Sequence, residues 1–406
     1  MRIVIIADHA VAEGGAPQVA IASARGLAEL GHPVTYLQGV AGPADAALDS
    51  HPNIRRIDLG GTDIWHKGAL AAARDGIWNR ELITTLKALL TGFSPEDTVI
   101  HIHQWTKCFS PSVFAAVRKA GLPLVTTLHD YFLACPTGLM YRPDKGEPCT
   151  LKPLSAACLA APCDPRSYLH KGIRIARSLA LGRALDGLDF TAIHVSAMSE
   201  KIIGPALPPR ARQVIVENPI ECVDSGPRIA GPDLRIVYCG RLTAEKGADL
   251  VAEAAKAAGL PSLFIGEGPL RDKIKVIDPT AEITGWLEKP AVRDRIAREA
   301  LAVIAPSRWP ETGPLVIAEA MASGVPAIAS TRAGAAGRII EGETGFVVEP
   351  HVPALVSAFR KLTEADTAAR MGAAAYHHFW AAPPSLAAHA KKLESVYRAA
   401  IARQRV

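Results

Sequence analysis

Short runs of apolar residues alternate with longer alanine-rich segments along most of this chain. The short runs have the length of buried strands, and the longer segments carry apolar residues at helical spacing. Such alternation is typical of a parallel α/β sheet with helices on its faces. It predicts strands at residues 2–7, 33–37, 98–103, 122–128, 234–239, 262–265, 301–305 and 327–329, and helices at 18–30, 248–258 and 386–406.

A strand followed by a glycine turn occurs twice, about 230 residues apart. Residues 2–7 lead into Gly14-Gly15, and residues 234–239 lead into Gly240. Because this arrangement opens a Rossmann-like unit, the sequence predicts two such units in one chain.

The pattern breaks at Asn218-Pro219, between the two predicted units. We therefore expect an N-terminal domain over residues 1–217, with a cysteine-containing insert at about 131–165, and a C-terminal domain over residues 218–385. The final helix, at 386–406, is expected to pack back on the N-terminal domain.

Composition narrows the class of protein. The chain has 406 residues, of which 49% are hydrophobic and 21% charged, as expected for a globular protein of more than one domain. The net charge of +5 is too small to indicate nucleic-acid binding by itself. The N-terminal apolar run is too short for a signal peptide, and no run approaches the roughly 18 residues of a transmembrane helix. These features predict a cytoplasmic protein without a nucleic-acid partner.

Two carboxylates flank a Gly-Pro turn in the segment Glu311-Thr-Gly-Pro-Leu-Val-Ile-Ala-Glu319. Pro314 suits the first position of a helix, where its missing N–H group is not needed. The backbone N–H groups around Gly313, Pro314 and Leu315 would then form an anion site. Glu319 would lie roughly 7 Å further along the helix axis, and Glu311 would stay in the loop. A diphosphate at the turn, a sugar at Glu311 and a ribose at Glu319 would together make a nucleotide-diphosphate sugar.

Two cations, Arg241 and Lys246, follow the first strand of the second predicted unit. Ligands of open parallel sheets bind at the carboxyl ends of strands, so both side chains could reach a diphosphate at Pro314. There they would stabilise a departing diphosphate without a metal ion. Taken alone, the two cations are better explained as a solvated surface pair. Beside Glu311 and Glu319, we favour the diphosphate interpretation.

These residues belong to a longer series of motifs. In chain order the motifs are Gly240-Arg241…Lys246-Gly247, Gly266-Glu-Gly268-Pro, Pro306-Ser307 and Glu311…Glu319-Ala-Met-Ala-Ser-Gly-Val-Pro. The series resembles the signature of glycosyltransferase family 4, whose members are retaining enzymes with the GT-B fold. Gly14-Gly15-Ala-Pro and the helix after it resemble the first loop of that family. The resemblance implies two facing Rossmann-like domains with a cleft between them, the first binding the acceptor and the second the nucleotide-sugar donor.

The resemblance also implies a role for each matching residue. Arg241 and Lys246 would contact the donor diphosphate. Glu311 would bind the donor sugar and Glu319 the ribose, while His129 would lie beside the reacting sugar. The catalytic set implied is therefore His129, Arg241, Lys246 and Glu311. The donor-binding positions implied are Gly15, Gly240, Gly266, Gly268, Trp286, Leu287, Gly313, Pro314, Leu315 and Glu319.

One position departs from the family pattern. Members commonly carry Gly-Gly-x-Pro-Glu after a late strand of the second domain, and here Gly337 stands where the Glu is expected. We expect this change to affect local packing or donor preference.

The resemblance implies same-face attack by the acceptor, with the leaving diphosphate oxygen helping to take the acceptor proton. Glu311 and Glu319 are assigned to binding, so they are poor candidates for the paired carboxylates of a retaining glycosidase. The chain contains no Asp-x-Asp triplet, and we predict no catalytic metal and no cofactor beyond the donor.

We therefore predict a metal-independent, retaining hexosyltransferase that moves a sugar from a nucleotide sugar to a hydroxyl acceptor. The acceptor is expected to be a saccharide, and more specifically a lipid-linked saccharide of cell-surface polysaccharide biosynthesis. Two alternatives stay open: a GT-B-fold nucleotide-sugar hydrolase or epimerase, and a non-catalytic nucleotide-sugar-binding subunit. The presence of all four residues Arg241, Lys246, Glu311 and Glu319 argues against both.

Four cysteines fall within 29 residues, with 13, 8 and 4 residues between them. They are Cys135, Cys149, Cys158 and Cys163. These spacings differ from the paired spacing of the usual zinc site. One hypothesis is a structural zinc site that holds the insert together; the alternative is a loop-rich insert with buried, inert thiols. Disulfides are not expected in a reducing cytoplasm.

A basic segment follows the cysteines, with no acidic residue from 166 to 184. Its cations are Arg166, Lys171, Arg174, Arg177 and Arg183. One interpretation is a basic amphipathic helix in peripheral contact with the anionic inner membrane surface, which would suit a lipid-linked acceptor. The other is an ordinary amphipathic helix whose basic face is solvated.

Overall fold

The structure, a computed structural model, describes residues 1–404 and divides into two compact units. Unit 1 comprises Met1–Met140, Cys149–Pro219 and the chain from Pro384 onward. Unit 2 comprises Tyr141–Pro148 and Ile220–Pro383. Three separate stretches of sequence therefore build unit 1. The last two positions of the helix predicted at 386–406 lie outside the described residues.

Strands and helices alternate along both units. The strands are β1 (Arg2–Ala7), β2 (Val34–Val40), β3 (Ile54–Gly61), β4 (Thr98–Ile102), β5 (Leu124–Leu128), β6 (Tyr141–Arg142), β7 (Glu147–Pro148), β8 (Phe190–His194), β9 (Ala211–Ile215), β10 (Arg235–Cys239), β11 (Ser262–Ile265), β12 (Glu282–Gly285), β13 (Ala300–Ala305), β14 (Ala327–Ser330) and β15 (Gly345–Val348). The α-helices are α1 (Gly15–Glu29), α2 (Ala46–Ser50), α3 (Ala69–Ile77), α4 (Arg80–Leu90), α5 (Ser112–Ala120), α6 (Ala156–Ala160), α7 (Tyr168–Leu185), α8 (Ala197–Ile203), α9 (Ala248–Ala258), α10 (Arg271–Ile277), α11 (Lys289–Glu299), α12 (Leu315–Ala322), α13 (Val352–Leu362), α14 (Thr367–Ala381) and α15 (Leu386–Gln404). Short 3-10 turns occupy Ile64–His66, Gly204–Ala206 and Gly334–Arg338.

Unit 1 is built on a parallel sheet of seven strands in the order β3-β2-β1-β4-β5-β8-β9. Strand β1 lies in the middle of this sheet, and every residue after Arg2 is buried. A central parallel strand is covered on both faces, which explains its uninterrupted apolar sequence. The strand order reverses between β1 and β4, so the loops after these strands border a crevice at the carboxyl edge of the sheet.

Unit 2 is built on a parallel sheet of six strands in the order β12-β11-β10-β13-β14-β15. Counted from β10, this is the 3-2-1-4-5-6 order of the Rossmann fold. The predicted fold class, two Rossmann-like α/β units, is therefore confirmed. The boundaries of β1, β11 and α9 coincide with the predicted ones, whereas β3, β8, β9, β12 and β15 were not predicted.

None of the helices within residues 1–404 is both long enough and apolar enough to cross a bilayer.

The C-terminal helix α15 packs against α1 and closes the core of unit 1. Its Leu393 and Tyr397 are fully buried. The Tyr397 hydroxyl shares a hydrogen bond of 2.6 Å with Nδ1 of the buried His101, on β4. His389 shares a bond of 3.0 Å with the Ser23 hydroxyl of α1. Both apolar burial and buried hydrogen bonds therefore fix α15 in unit 1.

The hydroxyl of Tyr397 should contribute measurably to stability. Tyr397→Phe leaves Nδ1 of His101 buried without its partner, so the free energy of unfolding in urea should fall by about 1–3 kcal/mol. Tyr376→Phe is the control, because that hydroxyl bonds Asp224 at an accessible site and its loss should change the free energy by less than about 0.5 kcal/mol. Equal effects of the two substitutions would contradict the prediction.

Candidate functional site

Two loops at the carboxyl edge of the unit 2 sheet carry three of the four predicted catalytic residues and three of the ten predicted donor-binding residues. One loop, 240–247, follows β10, and the other, 306–314, follows β13. These strands are neighbours at the point where the strand order reverses, which is where ligands bind in open α/β sheets. The backbone N–H groups of Arg308 and Trp309 both donate to the Glu245 carbonyl, at 2.9 and 3.2 Å. The two loops thus form one connected site.

The carboxylate of Glu311 lies between these loops. Glu311 is 7% exposed, and its Oε1 is 2.6 Å from the Lys246 ammonium. The Ser307 hydroxyl donates to the other carboxylate oxygen. Burial raises the pKa of the Glu311 carboxyl, but Lys246, Ser307 and the charge of Arg241 outweigh it and hold this pKa below its usual value. Glu311 is therefore a fixed anion, and the structure brings together the predicted residues Arg241, Lys246 and Glu311.

The backbone of Glu311 is fixed as firmly as its side chain. Its N–H donates to the Arg332 carbonyl at 2.9 Å, and its carbonyl accepts from the Gly334 N–H at 2.7 Å. The segment after β14 therefore pairs with the site loop. Gly337, where the family pattern has Glu, lies in the next turn, and a Cβ there would meet nothing within 4 Å. A side chain would therefore fit at Gly337, and the expected effect of the change on local packing or donor preference stays a prediction.

Arg308 joins the two loops through its side chain. Its Nη1 donates to the Ala244 carbonyl at 2.7 Å and to the Asp249 carboxylate at 2.6 Å. Asp249 also binds the Lys273 ammonium at 2.7 Å. Burial raises the pKa of Asp249, but its two cations outweigh it and lower this pKa. Sequence reasoning missed Arg308 and Asp249, because a pair separated by 59 residues leaves no local pattern.

Glycines allow the neighbouring loop after β11 to approach the site. A Cβ on Gly266 would lie 2.1 Å from the Gly240 carbonyl oxygen, and one on Gly268 would lie 2.5 Å from that of Leu242. Both glycines have positive φ values, 142° and 157°. These positions, implied as donor-binding, are therefore required for loop packing in any case.

Helix α12 begins at Leu315, so the prediction that Pro314 occupies the first helical position is wrong by one residue. Pro314 is the N-cap residue, with φ −65° and ψ 119°. The φ that proline fixes fits both positions, and the extended ψ makes Pro314 the last residue of the loop. The N–H groups of Leu315 and the residues after it are those at the helix N-terminus.

Glu319 lies on α12 in a different environment from Glu311. Burial raises the pKa of Glu319, and the charges of Lys289 and Arg293, on α11, oppose this only in part. Burial and then the Glu319 charge raise the pKa of Cys239, the last residue of β10, to about 12, so Glu319 lies near this strand end. Within residues 1–404 its carboxylate forms no ion pair. Lys289 and Arg293 were not singled out from the sequence.

Trp286 and Leu287 follow β12, at the same edge of the sheet. Trp286 is 65% exposed, which leaves its indole ring accessible to a ligand. Leu287 packs against the hydrophobic core of unit 2. Of these two predicted residues, the tryptophan is thus the one with an accessible face.

Unit 1 carries the remaining predicted residues, Gly15 and His129. Gly15 is the first residue of α1, and a Cβ there would meet nothing within 4 Å. His129 follows β5, and its Nε2 shares a hydrogen bond of 3.0 Å with Nδ1 of His103, which follows β4. Burial lowers the pKa of His129 to about 3 and lowers that of His103 well below its usual value. Both imidazoles are therefore neutral at physiological pH.

A cavity at the carboxyl ends of β4 and β5 is lined by His103, Gln104, His129 and Asp130. Burial raises the pKa of the Asp130 carboxyl to about 6, although the Phe132 N–H and the Arg177 charge oppose the increase. His103 and Asp130 were not predicted as site residues. The only available signal was their position, since His103 ends the predicted strand 98–103 and Asp130 lies two residues beyond the predicted strand 122–128.

The four cysteines of the insert are free thiols. Burial, and then the neighbouring Cys135, Cys158 and Cys149, raise the pKa of Cys163, so the four lie near one another. Across the 404 described positions, however, no three histidine, cysteine or acidic side chains are arranged to hold a metal ion. The zinc site stays a prediction.

Four of the five cations of the basic segment lie on α7, and three of these four face the protein. The Lys171 ammonium is fully buried and donates to carbonyl groups at the end of α6, including that of Leu159 at 3.0 Å. Arg177 is buried and donates to the Pro136 carbonyl at 3.1 Å, and Arg174 pairs with Asp164 at 3.1 Å. For Lys171, Arg174 and Arg177, both interpretations of the basic segment are therefore wrong: these side chains face neither a membrane nor the solvent. The insert has carbonyl groups that need donors, and these cations supply them.

The fold and the site define the class of this protein: an α/β protein of two Rossmann-like units, one of which has the ion pair of Lys246 and Glu311 at its switch point. The family described as "Glycosyl transferase 4-like domain" matches residues 14–219, just over half of the chain. The family described as "Glycosyl transferases group 1" matches residues 225–378. The chain therefore belongs to the glycosyltransferase family whose motifs it carries.

Individual relatives agree with this assignment. The chain is 31% identical over 183 residues to an alpha-D-kanosaminyltransferase from Streptomyces kanamyceticus, a match that covers 40% of this chain and 45% of the relative. It is 33% identical over 135 residues to the GDP-mannose-dependent alpha-(1-6)-phosphatidylinositol dimannoside mannosyltransferase of Mycobacterium tuberculosis. This match covers 31% of this chain and 35% of the relative. The chain thus spans less than half the length of these relatives. HepE from Anabaena, solved with UDP-glucose, shares the fold with a TM-score of 0.69 at 14% identity, covering 98% of this chain and all of HepE.

Removing the cation partner of Glu311 should destabilise unit 2 in a pH-dependent way. In Lys246→Met the buried carboxylate loses its ion pair, and the free energy of unfolding at neutral pH should fall by about 2–3 kcal/mol. The lowered pKa of Glu311 stabilises the fold above its usual value of 4.5, and this contribution disappears as the pH falls. The difference between the two proteins should therefore shrink below about pH 4.

Urea unfolding across this pH range measures the effect. Arg271→Met is the matched control, since Arg271 pairs with Glu267 on the surface and contributes little. A deficit that is the same at every pH would contradict the assigned charge of Glu311.

The cysteine cluster is tested by its metal content. If the insert holds a structural zinc, protein purified without chelator should contain one zinc per chain, and Cys163→Ser should lose it. Cys222→Ser, in unit 2, is the control and should keep the metal. Absence of both zinc and iron from the purified protein would rule out the metal site.

Proposed function

We propose that this chain is a retaining glycosyltransferase that moves a sugar from a nucleotide-diphosphate sugar to a hydroxyl acceptor. The ion pair of Lys246 and Glu311, with Arg241 beside it at the switch point of unit 2, carries the proposal. Cations at this position bind a diphosphate, and a fixed carboxylate next to them binds the hydroxyl groups of the attached sugar. The UDP-glucose bound to HepE supports a donor of this kind.

The proposed roles follow from the charge states of the side chains. Arg241 and Lys246 stabilise the negative charge that develops on the leaving diphosphate, which makes a catalytic metal unnecessary. Glu311 accepts hydrogen bonds from sugar hydroxyls; its lowered pKa and its ion pair suit binding better than nucleophilic attack. Glu319 accepts from the ribose hydroxyls, and Trp286 contacts the base. The N–H groups from Leu315 onward bind phosphate oxygens.

In unit 1, Gly15 gives the diphosphate space to approach the backbone, and His129 lies beside the reacting sugar. Because burial keeps its imidazole neutral, His129 can donate or accept one hydrogen bond without adding charge. The acceptor hydroxyl attacks on the face that the diphosphate leaves, and a diphosphate oxygen takes its proton. These steps give retention without a covalent intermediate on Glu311.

We propose a saccharide as acceptor, and specifically a lipid-linked saccharide of cell-surface polysaccharide biosynthesis. The relative from M. tuberculosis is named for a phosphatidylinositol dimannoside, a saccharide carried on a lipid, which supports this choice. A cytoplasmic protein in peripheral contact with the inner membrane would meet both this acceptor and a soluble donor. The alternatives, a nucleotide-sugar hydrolase or epimerase and a non-catalytic subunit, have no specific observation in their favour.

Donor binding is the first test. In a thermal-shift panel of UDP-, GDP- and ADP-sugars, the correct donor at a hundredfold excess over Kd should stabilise the protein by about 2.7 kcal/mol. Lys246→Met and Glu319→Ala should each lose this shift, because one removes the diphosphate contact and the other the ribose contact. Glu343→Ala, an exposed carboxylate of the same unit, is the control and should keep it. A shift that survives both site substitutions would refute the proposed donor site.

The reaction itself is tested with the donor that binds and a set of saccharide acceptors, in the presence of EDTA. NMR of the product should show the anomeric configuration of the donor. Release of free sugar without transfer, or an epimerised nucleotide sugar, would favour the hydrolase or epimerase instead.

A further inference from the structure

One surface of unit 1 exposes large apolar side chains beside a cation. At the start of α7, Tyr168 and Leu169 are 62% and 75% exposed, and Trp65, in the turn Ile64–His66, is 47% exposed. The Arg166 guanidinium lies 3.9 Å from the centroid of the Trp65 ring, so the two segments are adjacent. Large apolar side chains exposed this close together usually mark an interaction site.

Helices α3 and α6 extend this surface. Helix α3 packs against both α7 and the turn that carries Trp65, and its Leu70 is 89% exposed. The Tyr168 hydroxyl donates to the Ala160 carbonyl of α6 at 3.1 Å, next to the exposed Leu159. We call the following six residues the α7 surface: Trp65, Leu70, Leu159, Arg166, Tyr168 and Leu169.

The charges of the α7 surface have one sign. Segments 64–74 and 149–172 together contain one acidic residue, Asp164, whose side chain is 1% exposed and paired with Arg174. Lys152, Arg74 and Arg166 are exposed in the same segments, and Arg74 pairs with the buried Asp75 at 2.7 Å. Within residues 1–404, Arg166 forms no ion pair. A surface that combines apolar side chains, cations and no exposed carboxylate is complementary to an anionic layer.

Buried cations hold the α7 surface in place. Lys171 binds the carbonyl groups at the end of α6, which fixes α6 against α7. Arg177 binds the Pro136 carbonyl and stacks on Phe132 at 4.4 Å. The exposed apolar residues therefore stand on a fixed base and need no folding step to dock.

We propose that the α7 surface docks unit 1 on an anionic lipid bilayer. Trp65 and Tyr168 have the amphipathic rings that prefer the headgroup level, and Leu70 and Leu169 enter the boundary of the acyl chains. Arg166 and the neighbouring cations contact lipid phosphates. The inference deepens the proposed function and rests on it for the lipid-linked acceptor, but docking can be measured without any sugar transfer.

Vesicle co-sedimentation of the full chain tests the docking. The protein should bind vesicles that contain phosphatidylglycerol, bind phosphatidylcholine vesicles weakly, and release from the phosphatidylglycerol vesicles as salt rises. Leu169→Ser and Arg166→Glu should each weaken binding about tenfold, because one removes apolar burial and the other a contact with anionic lipid. Val276→Ser and Arg298→Glu are the matched controls. They replace an exposed aliphatic residue with Ser and an exposed Arg with Glu in unit 2, and both variants should bind like the unchanged protein.

Donor-induced thermal shifts, measured on the same variants, separate the two proposals. Vesicle binding without a donor-induced thermal shift would support the docking proposal and refute the proposed function. A donor shift without vesicle binding, or equal loss of binding in Leu169→Ser and Val276→Ser, would overturn the docking. So would a dimer, detected by sedimentation velocity, that Leu169→Ser dissociates, because the surface would then be an interface between protein copies.

Discussion

The ion pair between Lys246 and Glu311 is the contact on which the site of unit 2 depends. It joins the loop after β10 to the loop after β13, the two strands between which the sheet order reverses. Carboxylates are rarely buried unless they are paired, so the buried Glu311 depends on Lys246 to keep its charge and position. Arg308, in the second loop, also binds the Ala244 carbonyl of the first loop and the Asp249 carboxylate of α9, which joins the same loops a second time. The result is a set of charges whose geometry is fixed before any ligand arrives.

The two carboxylates of the segment 311–319 have opposite electrostatic environments, although they lie eight positions apart. Glu311 meets a cation at 2.6 Å and has a lowered pKa. Glu319 has cations only at a distance and a raised pKa. Paired environments of this kind assign different tasks to chemically identical groups. Here the ion-paired carboxylate is proposed for the sugar next to the diphosphate and the other for the ribose.

Much of the fold and part of the site were predictable from the sequence. Central strands such as β1 and β10 are apolar throughout because both sheet faces are covered, and glycine turns mark where they end. Strands such as β3 and β9 lie at the sheet edge with exposed positions, so their sequences lack that signal. His103 and Arg308 act through partners far away in sequence, and no local pattern records such a partner. Lys171 shows the converse: its basic, helical sequence suggested a surface, whereas unpaired carbonyl groups of the insert required it inside.

The closing of unit 1 by α15 has a consequence for the order of events during synthesis. Every strand of the unit 2 sheet leaves the ribosome before α15 does, because α15 follows unit 2 in sequence. Until then, the core of unit 1 lacks Leu393 and Tyr397, and the face of α1 that they cover stays in water. The unit that begins first is thus completed last. A nascent chain would carry a finished second unit beside an unfinished first one, with an apolar face that a chaperone could recognise.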